Sequence, residues 1–204
     1  MNRIERVPNA CAAVLAAGSS TRMGTCKLTR PFAGSTLLER ALRARGCGAG
    51  DGRGDGRLSG RRRALGAGAR RGVQLRVERG QSTSVRTAAR FAAAHGYDLL
   101  LVMVADQPYV EASHLDTLLR AYAEGGACAC VTRGAGRQGN PCLFDRTCFP
   151  LLEGLDGDEG ARSMLRAHPE LGVRAVPVAD ARVLDDVDTP DELARVEEAI
   201  LRGR

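Results

Sequence analysis

The chain has 204 residues, which suits one well-packed α/β domain and is short for two domains of ordinary size. Its formal net charge of +6 comes mostly from the segment 46–72, and only 3% of its residues are aromatic, so neither a basic surface nor base-stacking platforms for nucleic acid are expected. No stretch reaches the roughly 18 uninterrupted apolar residues that a membrane span requires, and the N-terminus lacks the layout of a secretory signal, so we expect a cytoplasmic protein.

Alternating strands and helices are predicted along the first half of the chain. The short apolar run Ala12–Ala16 leads into a glycine and is typical of a buried parallel strand followed by a loop. Thr36–Ala44 has leucines and alanines at helical spacing. The alternating sequence VQLRVE from Val73 predicts a strand, and Ser82–Gly96 predicts a helix with a serine or threonine cap that ends at Gly96.

The second half continues the same alternation. Asp98–Asp106 is the clearest core strand, a continuous apolar run that ends on a carboxylate, and Ser113–Gly126 predicts a helix closed by glycines. Later elements are predicted strands over 127–134, 140–146 and 173–178, a turn over 184–190 and a final helix over 191–202. This order predicts an α/β protein with a Rossmann-like, three-layer α/β/α architecture and a mostly parallel sheet. Ligands in such folds bind at the carboxyl ends of the strands.

The segment from Gly46 to Gly72 does not fit this pattern. Ten of its 27 residues are glycine and almost none is large or β-branched, so it cannot bury enough apolar surface to offset its backbone entropy. We therefore predict a mobile or poorly ordered loop inside an otherwise single domain spanning 1–204. An arginine-rich arm for nucleic acid, a reading-frame error and a degenerated strand remain alternatives.

Seven cysteines are scattered along the chain without a C-x-x-C spacing. Their odd number and distribution favour buried free thiols over disulfides or a zinc site. They are Cys11, Cys26, Cys47, Cys128, Cys130, Cys142 and Cys148.

The loop LAAGSSTRMGTCK, from Leu15 to Lys27, combines small residues with two cations. Small residues let backbone N–H groups approach a phosphate closely, so the loop predicts an anion cradle. It is not a dinucleotide fingerprint, because Gly18 and Gly24 stand alone, and it is not a P-loop, because Lys27 lies three positions beyond Gly24. A glycine and serine turn with two solvated cations is the alternative.

This loop resembles the N-terminal signature L-A-A-G-x-S-x-R-M-G-x-x-K of molybdenum cofactor nucleotidyltransferases at every defined position. Further blocks similar to the family follow in its order: GQSTSVR from Gly80, ADQP from Ala105, GNP with LF from Gly139, GDEGAR from Gly157 and DVDTPDEL from Asp186. The resemblance is closest to the MocA-like cytidylyltransferases within the MobA-like superfamily. It implies a nucleotidyltransferase with the nucleotide-diphospho-sugar transferase fold.

The resemblance also implies a nucleotide site. Its residues would be Leu15, Ala16, Ala17, Gly18, Arg22, Lys27, Gln81, Ser82 and Ser84. Arg22 and Lys27 would act catalytically on the phosphates, where arginine offers a planar fork and lysine a compact charge. The block containing Ser82 and Ser84 would face the base and ribose, and its G-x-S-x-S form favours CTP over GTP. These residues could instead simply cap the helix.

Carboxylates at strand ends are the candidate metal ligands. Nucleotidyl transfer needs Mg²⁺, which prefers one or two carboxylates together with phosphates and water. Asp106, at the end of the most hydrophobic strand, and Asp188 are the predicted ligands, with Asp186 in reserve. As alternatives, Asp106 caps a turn before Pro108, and the DVDTP block is an ordinary turn that starts a helix.

The acceptor side is implied to include Asn140, Pro141, Asp158 and Arg162. The three histidines fall in predicted helices or at their ends, away from strand termini, so an acceptor that needs no base is favoured. The terminal phosphate of molybdopterin meets this requirement because it is ionised at neutral pH. The predicted reaction joins CMP from CTP to that phosphate and releases pyrophosphate.

Other functions remain open at this stage. Guanylyl transfer to molybdopterin, or cytidylyl transfer to a sugar or polyol phosphate, would keep the mechanism and change the substrates. A non-catalytic nucleotide- or cofactor-binding accessory protein is an alternative of another class. The predicted partners are small molecules, together with a molybdoenzyme of the xanthine dehydrogenase type or its chaperone.

Overall fold

A computed structural model of the protein describes residues 8–16, 27–44, 72–75, 80–157 and 159–203. The strands are β1 (Ala10–Leu15), β2 (Gly72–Leu75), β3 (Leu99–Val104), β4 (Ala129–Gly134), β5 (Arg137–Asp145) and β6 (Val173–Pro177). The α-helices are α1 (Leu37–Ala44), α2 (Gly80–Ala94), α3 (Ala112–Ala123), α4 (Phe149–Glu153), α5 (Ala161–Ala167) and α6 (Pro190–Arg202). Short 3-10 helices span Lys27–Thr29, Arg146–Cys148 and Ala181–Leu184.

The strands form one mostly parallel sheet, as the sequence predicts. Their order is β2-β1-β3-β5-β4-β6, and β5 is antiparallel to β3 and β4 while the other neighbouring pairs are parallel. From β1 the chain passes to β2 on one side and then to β3 on the other. The carboxyl ends of β1 and β3 therefore mark the switch point at which open α/β sheets bind ligands.

Helices cover both faces of the sheet, which confirms the three-layer architecture. Successive side chains of β3 point to opposite faces: Leu100 and Val102 pack with α2, α4 and α5, whereas Leu101 and Met103 pack with α1, α3 and α6. A strand buried on both faces has no polar alternation, which explains the continuous apolar run around it. Among the described residues, no helix combines the length and the apolar character that a bilayer crossing needs.

Two local predictions differ from the structure. α2 begins at Gly80, so Ser82 lies inside the helix and the predicted serine or threonine cap over 82–84 is wrong. The hydroxyl of Ser82 instead donates a hydrogen bond to the carbonyl of Gly157. Helices α4 and α5 were not predicted, because elements of five and seven residues are too short to show a clear period.

The strand predicted over 140–146 begins earlier than expected. Ala135 and Gly136 both have positive φ, of 48° and 76°, and form a two-residue hairpin loop that lets β5 start at Arg137. The loop predicted over 46–72 falls outside the described residues except for Gly72, the first residue of β2. The strand predicted from Val73 is confirmed for its described part.

The described cysteines are free thiols, as predicted. Cys11, Cys130, Cys142 and Cys148 are buried, Cys128 is partly exposed, and the remaining two lie outside the described residues. Burial raises the pKa of Cys11 and of Cys142 to about 12. Since the thiolate is the reactive species, these thiols are inert in the folded protein.

Alkylation with iodoacetamide at pH 8 is expected to modify Cys128 at least about 100-fold faster than the buried Cys142, because burial suppresses both thiolate formation and access. Mass spectrometry of the digested protein measures both rates. Protein unfolded in urea serves as the control, in which both residues react equally. Equal rates in the folded protein would show that the buried position of Cys142 is wrong.

Candidate active site

Three residues that are far apart in sequence meet at the switch point. The ammonium of Lys27 donates to Oδ2 of Asp106 at 2.9 Å and to Oδ1 of Asp188 at 2.9 Å. It also donates to the main-chain carbonyl of Val187 at 2.7 Å. The structure therefore brings together the predicted phosphate-binding lysine and both predicted metal-binding carboxylates.

The surrounding backbone fixes these three side chains. Asp106 follows β3 directly, and Ala105 N donates to the carbonyl of Leu15 at 3.0 Å, which joins the ends of β3 and β1. Val187 N donates to the main-chain carbonyl of Asp106 at 3.0 Å, so the loop before α6 is fastened to the loop after β3.

The turn that carries Asp188 is also the start of a helix. The side chain of Thr189 accepts a hydrogen bond from Glu192 N at 3.2 Å, and Pro190 occupies the first turn. The Glu192 carboxylate in turn accepts from the main-chain N–H groups of Asp188 and Thr189. The block is thus a helix start, as the alternative has it, but a helix start does not by itself account for the contact of the Asp188 carboxylate with Lys27.

The charges at this point are strongly coupled. Burial disfavours the ammonium form of Lys27, but the nearby carboxylates of Asp106 and Asp188 outweigh this effect and raise its pKa above the ordinary value. Asp186 also lies near this group. Its pKa is raised, mainly by partial burial and to a lesser extent by repulsion from the Asp106 carboxylate. Three acidic side chains, Asp106, Asp186 and Asp188, therefore lie around Lys27.

This donor set suits a hard divalent cation only in part. Among the described residues, no group of three or more histidine, cysteine, aspartate or glutamate side chains converges as a metal site. Asp106 and Asp188 nevertheless contact a single cationic group from two sides, and their oxygens are the ligand type that Mg²⁺ prefers. The pair fits an ion whose other ligands come from substrate phosphates and water.

A cleft of about 450 Å³ opens beside these residues. Its walls come from the ends of β1 and β3, from α2, β5 and α5, and from the loop before α6. Besides Asp106, its lining includes the reserve carboxylate Asp186 and four other predicted site residues: Leu15, Ser84, Asn140 and Arg162. Asp106 thus borders both the cleft and the lysine, which makes it the link between them.

Asn140 reaches the cleft through an irregularity in the sheet. The pairing of β4 with β5 shifts register opposite Asn140 and Pro141, which forms a β-bulge. Pro141 has no N–H to give to the ladder and is typical of such a bulge. It is buried, and its carbonyl accepts a hydrogen bond from the Thr132 hydroxyl at 2.6 Å. Asn140 therefore lines the cleft, whereas Pro141, predicted beside it on the acceptor side, is buried in the sheet and is not among the lining residues.

The other predicted site residues are placed as follows. Ser82 is buried and hydrogen-bonded to Gly157, Ser84 is buried at the cleft, and Gln81 belongs to the first turn of α2. Ala16 follows β1 directly. Ala17, Gly18, Arg22 and Asp158 lie outside the described residues.

Sequence reasoning missed several residues that line the cleft, among them Gln107, Arg137 and Arg166. Gln107 had a usable signal, since it follows Asp106 at a strand end. Arg166 lies one helical turn after Arg162 on α5, a helix too short to predict, and Arg137 starts the unpredicted extension of β5. One further signal in the sequence was not used: Lys27 is the single lysine among 30 lysine and arginine residues, which singles out this position.

The comparisons with known proteins point to one family. The MobA-like NTP transferase domain matches residues 12–171. The chain is 35% identical over 207 residues to the purine catabolism protein PucB of Bacillus subtilis (strain 168), covering 96% of the chain and 99% of PucB. It is 28% identical over 199 residues to nicotine blue oxidoreductase of Paenarthrobacter nicotinovorans, covering 93% and 97%.

Solved structures agree with these matches. Rv0371c from Mycobacterium tuberculosis H37Rv, in complex with manganese, is 28% identical, with 94% of the chain and 99% of that protein covered and a TM-score of 0.63. A nucleotidyl transferase from Methanothermobacter thermautotroptrophicus, 21% identical, superposes with a TM-score of 0.65, with 97% of the chain and 99% of that protein covered. A CMP:2-keto-3-deoxy-manno-octonic acid synthetase, 12% identical, superposes with a TM-score of 0.67, with 96% and 100% covered. The fold is therefore that of the nucleotide-diphospho-sugar transferases.

Proposed function

The chain belongs to the family of MobA-like NTP transferase domains and is a nucleotidyltransferase, and from this premise we propose that it transfers CMP from CTP to the terminal phosphate of molybdopterin, with release of pyrophosphate. The observation that carries the proposal is the contact of Lys27 with Asp106 and Asp188 at 2.9 Å each, beside a cleft at the switch point of the sheet. Nucleotidyl transfer requires a fixed cation and metal-binding carboxylates near the phosphates of the nucleotide.

The nucleotide would bind at the carboxyl end of β1. In the proposal, the main chain that follows Leu15 cradles the triphosphate, while Arg22 and Lys27 neutralise its oxygens. Lys27 is held by three acceptors in the structure, so its position is set before the substrate arrives. All three N–H donors of the ammonium are engaged in the structure, so direct contact with the triphosphate would replace one of these hydrogen bonds while the charge stays beside the developing charge of the leaving pyrophosphate.

Asp106 and Asp188 would hold Mg²⁺ in this proposal. The bound ion supplies charge neutralisation on the triphosphate and polarises the α-phosphate. The manganese complex of the similar protein Rv0371c supports a divalent ion in this family. Asp106 is the better shielded of the two ligands, with 26% of its side chain exposed against 62% for Asp188.

The acceptor phosphate would attack the α-phosphorus in line. A new bond forms between an acceptor phosphate oxygen and the α-phosphorus, and the bond from the α-phosphorus to the bridging oxygen breaks, so that pyrophosphate leaves. No proton has to be removed from an ionised phosphate, and no histidine is found among the described residues that line the cleft. An alcohol acceptor would require a general base.

Three arginines support an anionic acceptor in the cleft. Arg162 and Arg166 come from α5, and Arg137 comes from the start of β5. Arg137 and Arg162 are anchored, by an ion pair with Asp185 at 2.6 Å and by a hydrogen bond to the carbonyl of Gln138 at 2.7 Å. The planar guanidinium group suits phosphate and carboxylate groups, to which it can donate two hydrogen bonds at once.

Replacing Arg166 with glutamine is expected to raise the KM for the acceptor by about 10-fold while leaving the KM for CTP unchanged, because a charge-assisted hydrogen bond is worth about 1.5–3 kcal/mol. Initial rates with each substrate varied in turn measure both constants. Arg120→Gln, on the exposed surface of α3, is the matched control. An unchanged acceptor KM, or a rise confined to CTP, would remove Arg166 from the acceptor site.

The function itself is tested with the purified protein, Mg²⁺, molybdopterin and each of CTP, GTP, ATP and UTP. We expect pyrophosphate and molybdopterin cytosine dinucleotide from CTP, with at least about tenfold preference over GTP. Preference for GTP would move the protein to the guanylyl branch. Turnover of CTP only with a sugar or polyol phosphate would replace molybdopterin as the acceptor.

The relative named nicotine blue oxidoreductase raises a second chemistry. Redox chemistry releases no pyrophosphate, so the pyrophosphate assay separates the two activities. The same readout separates catalysis from a purely accessory binding role. The proposal also includes a cytoplasmic location, a single NTP transferase domain over 1–204 and delivery of the product to a molybdoenzyme of the xanthine dehydrogenase type or its chaperone.

A further inference from the structure

Buried oxygens without a hydrogen-bond partner are concentrated in the cleft. Among the described residues, three buried side-chain oxygens have none: Asn9 Oδ1, Ser84 Oγ and Gln107 Oε1. Ser84 and Gln107 both line the cleft, on α2 and on the loop after β3. Asn9 lies at the opposite end of β1.

Such oxygens are costly to keep. A buried polar group that is left unpaired destabilises a protein by about 1–3 kcal/mol, and native structures contain few of them. Ser84 is fully buried and Gln107 is only 6% exposed. Two orphan oxygens on residues that line the same cleft are therefore best explained by a ligand that pairs with them.

Gln107 is positioned at the cleft next to a carboxylate and by its own main chain. Its side chain lies near Asp186, and both residues line the cleft. The backbone is fixed as well, because the carbonyl of Gln107 accepts from Val110 N at 3.3 Å.

We infer that Gln107 is a substrate-binding residue whose Oε1 accepts a hydrogen bond from an N–H or O–H group of a substrate in the cleft. The inference deepens the proposed function and rests on it for the identity of the substrates. An amide oxygen cannot pair with an ionised phosphate, which has no donor. The donor is therefore an amino, ring N–H or hydroxyl group, carried either by the base or ribose of the nucleotide or by the ring system of the acceptor.

Gln107→Met tests this inference, because methionine keeps the length and volume of the side chain but has no strong acceptor. We expect the KM of one substrate to rise at least about 10-fold, as for a lost hydrogen bond in a dry site, while the KM of the other stays within twofold. The substrate whose KM rises identifies the source of the donor. The thermal midpoint of the ligand-free protein should stay the same or rise, because a buried orphan oxygen is removed.

Asn9→Leu is the matched control. It removes the third orphan oxygen, far from the cleft, and should leave both KM values unchanged. Both KM values within twofold of wild type in Gln107→Met would overturn the inference. If that variant does not fold, Gln107→Asn keeps the amide but withdraws the oxygen, and it is expected to show the same rise in KM.

Direct binding separates this inference from the proposed function. Calorimetry measures the affinity of wild type and Gln107→Met for CTP with Mg²⁺, GTP with Mg²⁺ and molybdopterin, each alone. A wild-type protein that binds a probe without transferring CMP contradicts the proposed function, and weaker binding of that probe by Gln107→Met still supports the inference. Equal binding by both proteins, or no binding of any probe to wild type, overturns it.

Discussion

Replacing Lys27 with methionine is expected to lower kcat/KM for the nucleotide by about 1,000-fold, the size seen when a preorganised charge at a transferring group is removed. The Lys27 side chain is only 12% exposed and its ammonium contacts Asp106 and Asp188 at 2.9 Å each, so a cation from solvent does not easily replace it. Pyrophosphate release under saturating Mg²⁺ measures the effect. Retention of more than about a tenth of the activity would contradict a role in transfer.

Lys27→Arg separates charge from shape. Lys27 is the chain's single lysine, whereas the other 29 cationic side chains are arginines. A guanidinium is planar and wide, and it cannot place one compact charge between two carboxylates and a main-chain carbonyl. We expect this variant to lose nearly as much activity as Lys27→Met. Full activity in Lys27→Arg would show that only net charge matters at this position.

The same substitution affects stability in a pH-dependent way. Lys27→Met leaves Asp106 and Asp188 adjacent without a cation, which costs about 1–2 kcal/mol of unfolding free energy for a partly exposed pair. The carboxylates raise the pKa of Lys27 in the folded protein. The stabilisation is thus complete below about pH 10.4, the unfolded value, and is lost as the pH rises through the folded value.

Urea unfolding of wild type and Lys27→Met at pH 7 and pH 11 measures this difference. The difference in unfolding free energy between the two proteins should be smaller at pH 11 than at pH 7. The pKa itself is accessible by NMR, since labelling with ¹³C-lysine gives one side-chain signal in a chain with one lysine. An ordinary or lowered pKa would mean that the contacts with Asp106 and Asp188 do not form in solution.

The sequence predicts the centre of this site for a physical reason. A continuous apolar run that ends on a carboxylate, as at Asp106, marks the carboxyl end of a buried parallel strand, where ligands bind. The loop before Lys27 follows the neighbouring strand. The resemblance to the nucleotidyltransferase family implied that Lys27 and Asp106, 79 positions apart, share one site, and the structure puts Lys27 Nζ 2.9 Å from the Asp106 carboxylate.

The periphery of the site depends on packing that sequence patterns do not encode. Arg166 sits on a helix of seven residues, too short to show a period. Asn140 is directed into the cleft by a β-bulge whose register only the neighbouring strand defines. Gln107 stands out because its oxygen has no partner, which is a property of the folded environment. Local chemistry thus locates strand ends, and tertiary packing selects the side chains around them.

Asp106→Asn is expected to lower kcat/KM by about 1,000-fold and to raise the Mg²⁺ concentration needed for half-maximal rate, because a neutral amide binds a hard divalent ion far more weakly than a carboxylate. Asparagine keeps the volume and can still accept a hydrogen bond from Lys27, so folding should be little affected. Mg²⁺ titrations of the rate of pyrophosphate release measure the effect. Asp116→Asn, on the exposed surface of α3, is the control.

Asp188→Asn should have a smaller effect, of about 10- to 100-fold, because its side chain is 62% exposed and water can take over part of its role. Asp106 borders the cleft and contacts Lys27, whereas Asp188 contacts Lys27 without lining the cleft. In the proposed mechanism, this asymmetry makes Asp106 the carboxylate that would couple metal, nucleotide and acceptor. A larger loss of kcat/KM in Asp188→Asn than in Asp106→Asn would reverse that assignment. It would indicate that the metal binds closer to α6.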